Sequence, residues 1–299
     1  MQTILVIGAN GFVGSHLVQE FSRQNFQTVA SGSTTESVVS LPENVRYHQM
    51  DFTNREEVAK VFTSLKPDVV VHSGAMSKPD DCEMQKERAI LTNVDGTKNL
   101  LAEAAIYQSH FLFLSTDFVF SGVKGMYRED EHRSPVNFYG QTKVQAEDEV
   151  MAYQFNWSIA RTVLVYGQSI NGKPTFIENI VSAIQRKEQL RIFEDQVRTP
   201  TFVGDLVNGL LTIIQQKATG VFHLSGKDCM TVYEAAIKAV QLNGLDEKLI
   251  TPIREGDLIA PARRPKFTGF DLTKAKTVLG YDPISYEEGL RRTFKINEN

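Results

Sequence analysis

Short apolar runs alternate with amphipathic stretches through the first half of the chain. Ile4–Ile7 is an apolar, largely β-branched run that ends at Gly8. Val13, Leu17 and Phe21 follow at every fourth position, with Val18 beside them, which is the stripe of a helix packed on a sheet. Thr28–Ala30 predicts a second strand, and Val58, Val61, Phe62 and Leu65 mark a helix that closes at Lys66-Pro67-Asp68. Val69–His72 reads as the next strand. Ile90, Val94 and Leu101 stripe a further helix, and Phe111–Leu114 is a buried strand. Near-continuous apolar strands separated by helices predict an α/β fold, a doubly wound parallel sheet covered on both faces with right-handed crossovers.

Beyond that point the pattern changes. Trp157–Arg161 running into Val163–Val165 predicts another strand, and Phe176–Arg186 a helix. After about Gly167 the rhythm is less regular, with turns at Asn171-Gly172, Gly226-Lys227 and Arg264-Pro265. The division expected is a dinucleotide-binding domain over residues 1–166 and about 200–222. A smaller, discontinuous C-terminal substrate-binding lobe takes about 167–199 and 223–299.

Composition narrows the class. The 299 residues are 41% hydrophobic and 23% charged, ordinary globular values that exclude disordered, collagen-like and coiled-coil chains. A net charge of −4 without a basic block argues against a nucleic-acid partner. Cys82 and Cys229 stand far apart and suit a reducing compartment better than a disulfide framework. The chain runs straight from Met1 into a strand, with no apolar stretch long enough for a membrane span, so the expectation is a cytoplasmic protein without a membrane partner. The six histidines show no ligand spacing, and no metal site is expected; His16 reads as a surface or packing residue.

Candidate chemistry begins at Gly8-Ala-Asn10-Gly11-Phe12-Val13-Gly14, between the first strand and the first helix. Glycines there permit a tight turn and close approach of backbone N–H groups to a pyrophosphate, with the helix N-terminus adding partial positive charge. The spacing is GxxGxxG, which elsewhere in a chain would signify only a turn. An acidic residue at the end of the second strand would select NAD. That stretch reads Ala30-Ser31-Gly32-Ser33-Thr34-Thr35, whose hydroxyls could serve a 2′-phosphate, so NADP is preferred and NAD is the alternative.

Tyr139 and Lys143 are four residues apart, on one helical face. A phenol of ordinary pKa ~10 is a poor acid and base at neutral pH, and an adjacent ammonium would bring it toward the working range. The pair follows Pro135, one element after Leu114-Ser115-Thr116-Asp117, where the carboxyl end of a strand faces the ligand crevice. Thr116 could bond a substrate carbonyl there. The bland alternative is that Thr116 and Asp117 merely cap a turn.

These motifs, with Asp51-Phe52, His72-Ser73-Gly74-Ala75 and Asn93, occur in the order and spacing of the extended short-chain dehydrogenase/reductases. Ser115–Gly122, Asp195–Thr201 and Arg263-Arg264-Pro265 resemble, more narrowly, the dTDP-4-dehydrorhamnose reductase family, from Met1 to Gly280-Tyr281. The resemblance implies a Rossmann fold and a catalytic set of Thr116, Tyr139 and Lys143. It implies cofactor contacts from the glycine loop, Ser31, Ser33, Asp51, Phe52, Ser73, Gly74, Ala75 and Asn93 as well as Tyr139 and Lys143. Substrate contacts would come from Thr116, Asp117, Leu164 and Arg198, the last gripping a nucleotide diphosphate.

Three departures stand out. Leu164 replaces the tryptophan usual in rhamnose-forming members, Ser121 replaces an Asp before Gly122, and Met76–Glu83 differs from the usual Thr-x-Val-Asp pattern. The implied activity is an NAD(P)H-dependent reduction of a nucleotide-linked keto sugar by a homodimer. Dehydration is disfavoured because Phe118 follows Thr116-Asp117 where dehydratases carry Glu. The alternatives are a nucleotide-sugar epimerase, or a non-catalytic regulatory subunit resembling the partner of methionine adenosyltransferase.

Overall fold

Strand β1 (Gln2–Ile7) is buried from Ile4 onward on both faces, which only a sheet with helices on either side can satisfy. The structure, a computed structural model, describes residues 1–296, so the last three residues assigned to the second lobe lie outside the described residues. With β2 (Phe26–Gly32), β3 (Arg46–Gln49), β4 (Val69–His72), β5 (His110–Thr116), β6 (Trp157–Thr162) and β7 (Gly220–His223), β1 forms a seven-stranded sheet of order β7-β6-β5-β4-β1-β2-β3. Every pairing in it is parallel. Strand order reverses beside β1, so the crevice for a ligand opens between the carboxyl ends of β1 and β4.

Alternation along β1 sorts its side chains into two cores. Ile4 and Val6 join one cluster with Leu17, Val18 and Phe21 of helix α1 (Phe12–Phe21); Leu5 and Ile7 join another with Val58 and Phe62 of helix α2 (Arg55–Leu65). Lys66 ends α2 in the left-handed region at φ 46°. The helical stripe predicted around Ile90–Leu101 is interrupted: Lys86–Ile90 passes through a π turn at Leu91–Asp95 before helix α3 (Gly96–Ile106). Helix α4 (Phe138–Met151) follows β5 and packs against it.

The strand expected to continue from β6 through Val165 breaks instead. Leu164 takes φ 37°, an unfavourable value for a branched side chain, and Val165–Tyr166 leaves the main sheet to pair with Thr201–Phe202. Beyond this break, helices α5 (Phe176–Gln185) and α7 (Val232–Leu242) pack together over two separate clusters. Both start with capping boxes, Thr175 with Glu178 and Thr231 with Glu234. Helix α6 (Val203–Gln216), between them in sequence, returns to α1 and the main core. Phe270, Leu272, Ala275, Leu279 and Tyr281 also join that core, so this stretch packs with the main sheet although the sequence reading gave it to the smaller lobe. Its aromatic and aliphatic spacing marks it as apolar without saying which core it enters.

Gly14 is where α1 meets the turn after β1. A Cβ there would lie 2.1 Å from the Gly8 carbonyl oxygen and 3.0 Å from the Ala9 Cα. Gly14→Ala should therefore lose about 1–3 kcal/mol of unfolding free energy by denaturant titration, as overpacking against backbone does. A variant as stable as the parent would mean that the turn relaxes without resistance.

Candidate active site

The carboxyl ends of β1, β4 and β5 face one cleft of about 1440 Å³, walled on the far side by residues from the second half of the chain. That exceeds the ~300–1,000 Å³ typical of a single small-ligand pocket, so two ligands can lie in it together. Gly8, Asn10, Gly11, Phe12, Val13 and Gly14 line it. Gly8 has φ 79°, and a Cβ on it would sit 2.6 Å from the Gly74 nitrogen, so the loops after β1 and β4 touch backbone to backbone. Gly11 begins α1 with no side-chain cap and no acidic residue in the first turn, which leaves helix N–H groups for an anion in the cleft.

Ser33, Asp51, Phe52, Ser73, Gly74 and Ala75 line the same end of the cleft. Phe52 meets the His72 ring edge-on at 5.1 Å, and a Cβ on Gly74 or Gly96 would strike its ring. Ser73 donates to the Ile7 carbonyl at 2.8 Å. Two expected contacts are elsewhere. Ser31 is fully buried, away from the cleft lining; its carbonyl instead accepts from the Gly8 and Ala9 N–H groups at 3.0 Å each, so it holds the glycine loop from behind. Asn93, in the π turn, is buried as well. Its Oδ1 accepts from the Met76 N–H at 2.8 Å and its Nδ2 donates to Thr142 at 2.9 Å, tying the loop after β4 to α4.

At the centre, Thr116 from β5 and Tyr139 and Lys143 from α4 line the cleft together. A Cβ on Gly140 would be 2.2 Å from the Phe118 carbonyl oxygen, so that glycine lets the helix lie close on the chain leaving β5. Burial pushes the Tyr139 phenol well up, Thr116 beside it opposes the rise, and the Asp117 carboxylate adds to it. The sequence reading had Lys143 lowering the phenol. The structure instead gives its ammonium to the Leu114 carbonyl, at 2.8 Å, and to the face of Phe113, with Nζ 3.8 Å from the ring centroid. Burial brings the lysine down to about 7, against the pull of Glu147. Thr116 also plays the bland role foreseen for it: its Oγ1 accepts from the Phe118 N–H at 3.2 Å and donates to Asp117 at 3.1 Å.

The substrate-side residues Asp117, Leu164 and Arg198 line the cleft too. Arg198, however, is committed. Its Nε lies 3.7 Å from Asp117, and its Nη atoms donate to the carbonyls of Val197, Pro265 and Lys266 at 2.7, 2.7 and 3.2 Å. A guanidinium satisfied in this way holds the wall together and is not free for the two-pronged grip expected of it.

Comparison with known proteins decides the family. The profile of the RmlD substrate binding domain matches residues 1–298. The chain belongs to that family. It is 30% identical over 304 residues to dTDP-4-dehydrorhamnose reductase of Aggregatibacter actinomycetemcomitans, covering 97% of this chain and 98% of that protein. It is 28% identical over 281 residues to the mouse methionine adenosyltransferase 2 subunit beta, covering 92% and 82%. Its fold matches the crystal structure of dTDP-4-dehydrorhamnose reductase from Bacillus anthracis in complex with NADP, with TM-score 0.87, 24% identity and 99% and 100% coverage. The expected extended short-chain dehydrogenase/reductase architecture, with its doubly wound parallel sheet, is the architecture of this RmlD-family chain.

In this family member the three narrow motifs meet in space. Gly122, at φ 77°, leaves no room for a Cβ against Pro265 and Lys266, and its carbonyl accepts from the Phe267 N–H at 3.0 Å. Val197 in turn donates to Lys266 at 2.7 Å. The sequence reading missed the far wall: Lys173, Phe176, Asn179, Arg191 and Phe193 line it. No motif flagged them, because they are scattered over one helix, one strand and a turn. Among the described residues no cluster of three metal-ligating side chains occurs, and none of the helices is long and apolar enough to cross a membrane. His16 contacts the Gln168 carbonyl at 2.9 Å and the edge of Phe12.

Lys143 carries a measurable cost. The native ammonium loses its proton near pH 7, while an unfolded lysine keeps it to 10.5. The penalty on folding is thus full below pH 7 and fades as pH rises from 7 to 10.5. Lys143→Met should be more stable than the parent by a few kcal/mol at pH 6, by thermal or urea unfolding, with the gain shrinking toward pH 10. A difference independent of pH would contradict the depressed value.

Proposed function

We propose that this RmlD-family chain reduces the ketone of a nucleotide-linked sugar, using NADPH in preference to NADH. The observation that carries the reading is the convergence of Thr116, Tyr139 and Lys143 with the glycine loop in one cleft large enough for two ligands. The cradle suits a dinucleotide: Gly8 and Gly14 have no space for a Cβ, and the start of α1 is uncapped. A bound nicotinamide dinucleotide supplies the hydride. Its pyrophosphate would rest on the Gly8–Gly14 loop, with Phe52, Ser73, Gly74 and Ala75 along its flank.

Tyr139 then delivers a proton to the ketone oxygen as that oxygen takes on negative charge. Thr116 holds the oxygen in place, and the Lys143 ammonium, once it turns from the Leu114 carbonyl, stabilises the phenolate left behind. The phenol, raised by burial, is a reluctant acid on its own, so the lysine's charge matters most after proton transfer. At the end of β2, Thr34 accepts from Asn10 at 2.8 Å, neighbours the Tyr47 hydroxyl at 3.0 Å and donates to the Glu36 backbone carbonyl at 2.6 Å, a cluster of hydroxyls and an amide suited to a 2′-phosphate. On the far wall Lys173 and Arg191 supply positive charge for a substrate diphosphate, the task Arg198 is too occupied to take. The homodimer belongs to this reading: Met84 and Leu91 are 62% and 47% exposed on the turns packed beside α4.

A second reading has one observation in its favour, the 28% identity to a methionine adenosyltransferase regulatory subunit over most of the chain. In that case the cleft binds dinucleotide without turnover. The two separate in a panel of nucleotide-linked 4-keto-6-deoxy sugars with NADPH or NADH, followed at the nicotinamide absorbance. The reductase reading expects oxidation with at least one sugar, and Tyr139→Phe should cut that rate by ~10²–10⁴-fold while leaving dinucleotide affinity nearly unchanged. Full activity in the variant would remove Tyr139 as the proton donor. Dinucleotide binding with no turnover across the panel would favour the regulatory reading.

A further inference from the structure

Eight residues past Tyr139 on α4, a second buried charge faces the sheet, and the chemistry above does not use it. The Glu147 carboxylate is wholly buried, as is its partner Arg161 on β6. Arg161 Nε and Nη2 reach Oε1 and Oε2 at 2.9 and 2.8 Å, a two-pronged pair. Arg133 adds a third donor at 3.1 Å to Oε2, and Ser115 donates to Oε1 at 2.6 Å. Burial alone would raise this carboxyl; Arg161, Ser115 and Arg133 more than cancel that and keep it ionised.

A buried ion pair is a poor way to gain stability, since well-packed apolar side chains of the same volume usually do as well or better. The placement is more telling. Tyr139, Lys143 and Glu147 recur at every fourth residue, hence on one face of α4. They meet consecutive residues of β5: Lys143 bonds the Leu114 carbonyl, Glu147 bonds Ser115, and Tyr139 lies beside Thr116. Among the described residues three titratable groups surround Lys143, the first being Tyr139, one turn before it on the same face of α4 and neutral because burial raises its phenol. The second is Glu147, one turn after it; the third is His72 on β4, which burial keeps neutral with its value down to about 3. Of the three only Glu147 is ionised, and one helical turn from Lys143 its carboxylate favours the ammonium.

We propose that Glu147 is a positioning residue that acts through Lys143: held by Arg161, Arg133 and Ser115, its carboxylate keeps the Lys143 amine protonated against the desolvation of the site. The inference rests on the reductase reading for its purpose, but not for its test.

The test is the pH dependence of Lys143 acetylation by acetic anhydride, read residue by residue by mass spectrometry on the intact folded protein. Glu147→Gln removes the favourable charge and should move the Lys143 midpoint down by about one pH unit. Arg133→Gln strips a counter-charge from Glu147 and should move it up by a smaller amount. A purely structural role would alter stability in both variants without opposite shifts. Arg133 is 22% exposed in its side chain, so its variant decides alone should Glu147→Gln fail to fold. A midpoint that stays in place, or shifts the wrong way, in whichever variant folds overturns the proposal. With a working ketone in hand, the basic limb of the turnover profile should follow the same shifts. If no ketone turns over, the reductase reading falls while the acetylation midpoints still judge Glu147.

Discussion

Everything at the site depends on how closely helix Phe138–Met151 can lie against the strand His110–Thr116. A helix with a side chain at residue 140 would be pushed off the Phe118 carbonyl; glycine allows contact, and contact removes water from whatever the helix carries on that face. It carries a phenol, an amine and a carboxylate. Each is costly to bury and each finds a specific remedy: a hydroxyl, a backbone carbonyl with an aromatic face, and a pair of guanidinium groups. The dry contact that makes these groups expensive also makes their mutual fields strong. A chemistry of proton delivery gains from such fields, and so does tight recognition of a dinucleotide.

Much of this was legible in the sequence where a single period dominated. The runs at Ile4–Ile7, Val69–Val71 and Phe111–Leu114 are apolar throughout because both faces are covered, and each belongs to a central strand. The glycine loop and the Tyr139/Lys143 pair could be read because turn geometry and helical spacing fix where such residues must point. Legibility failed where the backbone departs from its period. Asn93 sits in a π turn, which breaks the helical phase, so its motif position said nothing about its side chain being spent on Thr142 of α4 and the backbone of Met76. Ser31 was judged by its hydroxyl, but parity along β2 turns that side chain inward and leaves only its carbonyl in play. Arg198 looked like a free guanidinium because, apart from the adjacent Val197 carbonyl, the groups that engage it, the Asp117 carboxylate and the Pro265 and Lys266 carbonyls, come from distant segments. Leu164, at a positive φ, ends a strand that apolarity alone would have carried on to Val165.

A dTDP-4-dehydrorhamnose reductase and a methionine adenosyltransferase 2 subunit beta stand at similar distances from this chain, 30% and 28% identical. Fold therefore cannot choose between the two likenesses. The buried amine at Lys143 costs free energy that a methionine there would not, so the residue answers to a functional demand, which proton delivery and dinucleotide contact would both supply.

The order of the segments has a consequence for how the chain is made. Six strands of the main sheet have left the ribosome once residue 162 is free, but the seventh, Gly220–His223, pairs with β6 only after the whole stretch that forms α5 and its neighbours has been synthesised. Phe270–Tyr281 arrives later still to close the same core. During that interval β6 presents an unpaired edge, the kind of surface on which nascent chains pair with one another. Neither lobe can therefore mature as an independent unit behind the other. The nascent protein has to keep a half-covered sheet soluble until residues 220–281 come out.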